Sequence, residues 1–308
     1  MVFAVAPNPM SPFASVLASI PSPSSGSLHV GPLRLNGYGM FIALGMFVAV
    51  WLTDRRWRAV GGGANDIGTI ATWALPAGVV GARIYHVITD WKSFRGRWGE
   101  AFVIWHGGLG IWGGVALGAL AGVWIGRRRK FDVLRILDAA APAIPFAQAI
   151  GRWGNWINVE LFGRPTTLPW ALEVPVDKRP PGYSGISTFH PTFLYESIWN
   201  VLVGIMVIVV HKRFGHRLKP GHMFAVYIAG YTFGRFFIER IRIDESSKLG
   251  GLRLNEWTAG IVFILALLVI LRGIKRPDKS GNTQSGNTPA GSEDKALDTA
   301  QTVANPAQ

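Results

Sequence analysis

Arg152, Asn155, Asn158 and Glu160 stand in one short run, Gly151 to Thr166, at the edge of an apolar stretch long enough to cross a membrane. An arginine at a bilayer centre costs roughly 2.5–3.5 kcal/mol on insertion scales, so one retained there must be paired or must meet something charged. The charged species at hand in a membrane is a phospholipid head group. On a helix Arg152 and Asn155 share a face, being three residues apart. Arg235, Glu239 and Arg242 recur at i, i+4 and i+7, which predicts a single inward-facing helical stripe. Two readings of that stripe are open, an ion-pair ladder between helices or part of a reaction site. Arg83, Asp138 and Glu196 fall in apolar windows, as do Arg152, Arg235 and Glu239. Six such groups left unpaired would cost on the order of 15 kcal/mol, so they must converge on one another or on water.

Other polar groups read as structural. Asp138 is placed to pair with Arg135. His190 precedes Pro191 at the start of an apolar helix, where capping or packing is expected. His86, His106, His211, His216 and His222 lie at span ends or in loops, and His29 in the N-terminal arm. No group has metal-ligand spacing, so no metal is expected, nor is any cofactor.

The elements that must hold these residues are membrane helices. Of 308 residues, 49% are hydrophobic and only 16% charged, with 13 tryptophans and a mean hydropathy of +0.26, a balance unsuited to a soluble domain of this length. The net charge of +13 does not point to nucleic acid, because the basic residues gather in short blocks between apolar segments. Those blocks are Arg55, Arg56 and Arg58; Arg127 to Lys130; Lys212, Arg213, Arg217 and Lys219; and Arg272, Lys275 and Arg276. Seven spans are predicted, at about Gly37–Thr53, Ile67–Ile88, Gly107–Gly126, Ile136–Ile157, Thr192–Val210, Met223–Ile241 and Trp257–Leu271. The basic blocks follow the first, third, fifth and seventh, so the positive-inside rule puts the N-terminus outside and the C-terminus in the cytoplasm. Gly-rich passages such as Gly107-Gly108 and Gly113-Gly114 predict close helix contacts in lipid.

Residues 1–35 read as an external arm. They open with thirty-three residues free of lysine and, to Leu33, of arginine, and they lack the charged region of a cleavable signal peptide. Residues 36–275 form the seven-span membrane domain. Within it, residues 159–189 are a polar outer segment, too long for a tight connection and therefore a candidate head or lid. From 276 to 308 the composition predicts a disordered cytoplasmic tail.

The run Gly151 to Gly163 strongly resembles the signature of the bacterial prolipoprotein diacylglyceryl transferases, G-R-x-G-N-(F/W)-x-N-x-E-(L/M)-(W/F)-G. His190-Pro191-Thr192-Phe193-Leu194-Tyr195-Glu196 is similar to that family's H-P-(S/T)-x-L-Y-E. The helix Tyr231-Thr232-Phe233-Gly234-Arg235 through Arg242 looks like its G-x-x-R-(F/I)-x-x-E-x-x-R segment, and Asn36-Gly37-Tyr38-Gly39-Met40 like its Y-G pattern in the first span. The resemblance runs in order from about Leu28 to Leu271. It implies an all-α multi-pass enzyme of the bacterial cytoplasmic membrane. Such an enzyme moves the diacylglyceryl group of phosphatidylglycerol to the lipobox cysteine of a preprolipoprotein signal peptide and releases glycerol 1-phosphate. By the same resemblance Arg152 binds the head-group phosphate, with Asn155, Glu160 and Gly163 completing its motif. Arg235 is then the second phosphate-facing cation, with Glu239 and Arg242 as its network, and the Tyr38 and Tyr231 hydroxyls lie in the cavity.

One departure concerns the base. Many members carry a histidine where this chain has Trp112, within Gly110-Ile111-Trp112-Gly113-Gly114. His106 and His190 are the remaining candidates. With no cysteine in the chain and no Gly-x-Ser-x-Gly elbow, neither a thiolate nor a serine intermediate is expected, and the substrate thiol must attack directly. A secondary transporter for an anionic or lipid substrate is the alternative. It would bury similar charges, but it usually shows two related halves, and none is visible.

Overall fold

The computed structural model describes residues 19–30, 33–104, 107–244 and 248–273; the expectations for most of the N-terminal arm, the tail from residue 276 and His106 lie outside them. Eight α-helices carry the fold among the described residues: α1 (Gly37–Ala59), α2 (Asp66–Thr89), α3 (Ile111–Arg128), α4 (Val133–Ala140), α5 (Ala143–Asn158), α6 (Thr192–Phe214), α7 (His222–Ile241) and α8 (Leu254–Gly273). Four of them, α1, α2, α6 and α8, are long and apolar enough to cross a membrane, and α4 with α5 makes a fifth if that bent pair is one span. The chain is therefore a helical membrane protein. Large apolar side chains such as Leu271, Ile264 and Phe47 stay exposed on these helices, as lipid-facing surfaces require.

By length and composition alone, four or five of the seven expected spans stand out, for physical reasons. α3 has 18 residues and ends in Arg127 and Arg128, while α7 has 20 and carries Arg235, Glu239 and Arg240; both are too polar to pass unaided. The predicted fourth span is not one helix. It breaks at Ala141 and Pro142, with a bend of 47° between α4 and α5, because proline removes a helix hydrogen bond and its ring collides with the preceding turn.

Short sheets make small exceptions to an all-α chain. β1 (Ser27–Val30) and β2 (Leu33–Asn36) form an antiparallel hairpin that runs directly into α1. The Asn36 side chain caps α1 by accepting the Tyr38 N–H at 2.9 Å, which seats Tyr38 on the first helical turn. In the 159–189 segment β3 (Leu172–Glu173) pairs with β4 (Thr188–Phe189). Ile20 joins β3 through Ile20 N–H to Ala171 O (2.8 Å) and Glu173 N–H to Ile20 O (2.9 Å). Val159, Phe162, Leu172, Val174, Phe189 and Phe193 close a small apolar core there. A third hairpin, β5 (Lys248–Leu249) with β6 (Leu252–Arg253), precedes α8.

The closest helix contact is between α2 and α3. A Cβ on Gly81 would stand 2.4 Å from the Gly113 carbonyl oxygen, and one on Gly113 only 2.2 Å from that of Gly81. No larger residue fits at either place, the small-residue packing that lipid favours. Arg83 of α2 is not part of an ion-pair cluster. Its guanidinium donates to the carbonyls of Glu100, Ala101, Gly107 and Gly108 at 2.6–2.9 Å and so fastens the α2–α3 connection. Asp138 does not pair with Arg135 either. Its carboxylate accepts Gly221 N–H (2.7 Å) and Phe224 N–H (3.1 Å) at the start of α7, where free helix N–H groups favour an anion. Arg135 pairs instead with Asp132, at 3.1 Å.

Candidate active site

α5, α6 and α7 bring four predicted residues to one point, and the link between them is Glu196. Arg152, near the end of α5, places Nη2 2.6 Å from Glu196 Oε2, and Arg235 of α7 places Nη1 3.0 Å from Oε1. Arg235 also reaches Glu239 Oε2 at 2.6 Å, one helical turn away. Arg242 lies just beyond α7 in extended backbone and does not continue the helical stripe. That departure lets it face Asp244 (2.7 Å) while remaining near Glu239 (4.0 Å) and Glu196 (3.9 Å).

Glu239 is fully buried and anchored from behind. Arg253 Nε lies 3.3 Å from it and Asn255 Nδ2 donates to it at 3.0 Å. Arg253 also donates to the carbonyls of Glu239 and Arg242 at 3.1 and 2.9 Å. Burial alone would push the Asp244 carboxyl up, but the hydrogen bond and charge of Arg242, with Arg253, hold it below the usual carboxylate range. Four guanidinium groups, of Arg152, Arg235, Arg242 and Arg253, thus face three carboxylates, of Glu196, Glu239 and Asp244. The side chains of Arg242 and Arg253 are 6% and 8% exposed; those of Arg152 and Arg235 keep 21% and 18%. Only the latter pair has open surface for an incoming anion.

Local sequence explains how Arg152 is presented. α5 ends at Val159 in the left-handed region, φ 52°, and Leu161 follows at φ 58°. For a β-branched residue this is a strained backbone, of the kind held only where surrounding structure enforces it. The reversal folds Glu160 back onto α5, where Asn155 Nδ2 donates to Glu160 Oε1 at 2.8 Å. Asn155 Oδ1 in turn accepts from Arg152 Nη1 at 3.4 Å. Tyr38 and Tyr231 flank the Arg152 guanidinium, and the Tyr38 ring rests on Gly154, where a Cβ would come within 2.6 Å of it.

Gly163 is the joint between the motif and the other helices. Its N–H donates to His190 O and the next N–H, of Arg164, to Ile241 O, both at 2.9 Å. A Cβ at residue 163 would meet His190 Cβ and Ile241 Cγ2 at 2.8 Å each. His190 reaches this region by its backbone, while its ring turns to Tyr195, Nδ1 to Oη 3.1 Å. Trp170 N–H also donates to that hydroxyl, at 3.1 Å. Burial, and then the charge of Arg164, lower the His190 pKa from its ordinary value, so the ring is neutral at neutral pH. It caps no helix. Among the described residues no group of His, Asp and Glu is arranged to hold a metal ion.

Tyr38, Arg152, Asn155, Glu160, Gly163, Tyr231, Arg235, Glu239 and Arg242 are thus brought together, and His190 stands beside them. Glu196 had the signal of a carboxylate inside an apolar helix, but its central place was not assigned from sequence. Arg253, Asp244 and Asn255 were missed because they flank the last span and look like ordinary loop polarity.

The family described as prolipoprotein diacylglyceryl transferase matches residues 26–272. The chain belongs to this family. Phosphatidylglycerol–prolipoprotein diacylglyceryl transferase 1 of Streptomyces coelicolor is 51% identical to it, over 92% of this chain and 82% of its own length. The Streptomyces avermitilis protein of that name is 51% identical over 89% of this chain and 81% of its own length. The Rhodococcus jostii one is 44% identical, over 92% and 85%. Within this diacylglyceryl transferase, Trp112 lies on the first turn of α3 and is 63% exposed.

Proposed function

We propose that this transferase moves the diacylglyceryl group of phosphatidylglycerol to the lipobox cysteine thiol of prolipoproteins, forming a thioether and releasing glycerol 1-phosphate, the first step of lipoprotein maturation. The names of its relatives support the two substrates. The observation that carries the reading is the pair Arg152 and Arg235, from different helices, joined by Glu196 and still open to a ligand.

The thiol sulfur attacks the glyceryl carbon, the C–O bond to the phosphate breaks, and its electron pair stays on the departing phosphate oxygen. That phosphate gains negative charge in the transition state. Two guanidinium groups already fixed by Glu196 and Glu239 meet the developing charge without reorganising, and each offers a planar fork that suits phosphate oxygens. Asn155, Glu160 and the joint at Gly163 hold Arg152, and Glu239 and Arg242 hold Arg235. Tyr38 and Tyr231 supply hydroxyls beside the phosphate. A free thiol has a pKa near 8.5, so its proton must pass to a base or to the leaving phosphate. We assign that role to His190, which adjoins Gly163 through its backbone, or to His106.

In this reading α3 and α7 also cross the bilayer inside the bundle, making seven spans in the cytoplasmic membrane. The N-terminus is outside, the basic blocks and residues 276–308 are cytoplasmic, and the 159–189 head is external beside the site. Purified full-length protein incubated with phosphatidylglycerol and a lipobox peptide should add one diacylglyceryl mass to the peptide, and none to its Cys-to-Ser analogue. Absence of the adduct at saturating lipid would refute the assignment.

A further inference from the structure

A second cationic feature lies at the other end of the bundle. α1 gives the frame: its first residue, Gly37, abuts Ile157 at the Arg152 end of α5, whereas Trp57 near its last turn packs with Ile67, Ile136 and Phe131. The 23 residues of α1 separate the two ends by about 35 Å. At the Trp57 end, the outer face of α2 and α3 carries a cleft of about 490 Å³ lined by Trp73, Trp124, Ile125, Arg128 and Arg129, within the range of small-ligand sites.

The chemistry of the lining is specific. Trp73 and Trp124, on facing helices, are 56% and 54% exposed, two aromatic walls open toward lipid. Arg128 stands with its guanidinium carbon 5.4 Å from the Trp124 ring centroid, a cation–π contact that holds it over the wall. Among the described residues neither Arg128 nor Arg129 takes part in an ion pair, although Asp54, Asp132 and Glu100 pair with other arginines. An apolar floor at Ile125, aromatic walls at the depth of the interface and two uncompensated cations above them match a lipid phosphate whose chains run down the walls. A water-borne phosphate would leave the walls bare, and a zwitterionic lipid would leave the cations uncompensated.

We propose that this cleft binds the head group of an anionic phospholipid, as a site separate from the Arg152–Arg235 site. The lipid lies across the outer face of α2 and α3, beside the level where Gly122 packs against Ile70 and Ala74. The proposal stands apart from the transfer reaction and is tested without it.

Full-length protein in a phosphatidylcholine background is titrated with phosphatidylglycerol and bound lipid is read by native mass spectrometry. Wild type should retain about one phosphatidylglycerol more than the Arg128→Gln/Arg129→Gln variant, with roughly thirtyfold weaker binding in the variant, since each cation near a membrane surface contributes about a factor of five. Both residues are exposed, so the variant keeps its transfer rate and, in phosphatidylcholine alone, its unfolding midpoint. The Arg127→Gln/Lys130→Gln variant loses the same charge outside the cleft and should bind as wild type does. Equal retention by wild type and the Arg128/Arg129 variant would overturn the site, as would equal loss by both double variants, which would mark bulk charge alone.

Discussion

Glu196 on α6 touches Arg152 of α5 through one carboxylate oxygen, at 2.6 Å, and Arg235 of α7 through the other, at 3.0 Å. One buried acid therefore sets the spacing between two cations that come from parts of the chain 83 residues apart. Removing it would leave both guanidinium groups facing each other.

Glu196→Gln should accordingly destabilise the protein. Breaking a buried ion pair by removing one partner costs about 3–5 kcal/mol, and the partial exposure of the two arginines puts this case near the lower figure. A drop in the thermal unfolding midpoint in detergent, together with loss of transfer, is the expected result. An unchanged midpoint would show that Glu196 does not carry the junction.

Arg152→Lys should be severely impaired although it keeps the charge, because lysine lacks the planar fork. Loss of a transition-state contact of this kind costs roughly 3–4 kcal/mol, a few hundredfold in rate. Arg152→Ala should be slower still, yet remain inserted, since removing the charge lowers the insertion cost. Near wild-type transfer by purified Arg152→Ala would end the phosphate-binding role.

Gly163→Ala tests the joint. The added methyl meets two carbons at 2.8 Å and the Ile241 carbonyl oxygen at 3.1 Å, and overpacking of this order costs about 1–3 kcal/mol. Activity should fall more than stability, because the displaced partners are His190 and the backbone that leads to Arg242. Wild-type activity with a wild-type midpoint would show that the site tolerates a shift here.

His190 supplies a pH test. Its folded-state pKa is lowered from the usual 6.5 by burial and by Arg164, so the unfolded chain binds the proton more readily. The histidine's contribution to stability is therefore complete above about pH 6.5 and is lost as pH falls toward the folded pKa. His190→Gln should flatten the dependence of the unfolding midpoint on pH between about 7.5 and 5. If His190 also takes the thiol proton, the acid limb of transfer lies below the usual histidine range and Arg164→Gln moves it upward. Unchanged pH–rate profiles in both His190→Ala and His106→Ala would remove both histidines as the base.

Reporter fusions check the orientation. Fusions after Lys130 and Lys212 should be cytoplasmic and an insertion near Tyr183 external, on the strength of the basic blocks. An external signal from Lys130 would invert the proposed site face.

What the amino-acid order determined by itself was local. Apolar runs of spanning length specified where helices form, although the fourth run is broken into α4 and α5, because burial of backbone polar groups in lipid leaves few alternatives. Asn36 before Gly37 and Tyr38 was enough to set a capped start, and the motif run was enough to single out Arg152. Partners were a different matter. That Asp138 caps α7 rather than pairing with Arg135, that Arg242 leaves its helix to reach Asp244, and that Arg253 supports Glu239 from a hairpin before α8 depend on how helices cross. Periodicity reports which side of a helix a residue occupies and not what faces it. The reversal at Val159 and Leu161 that returns Glu160 to Asn155 was likewise decided by packing, since neither valine nor leucine favours the left-handed region. Glu196 was visible as an acid in an apolar helix; only the convergence of α5, α6 and α7 made it the bridge between two arginines.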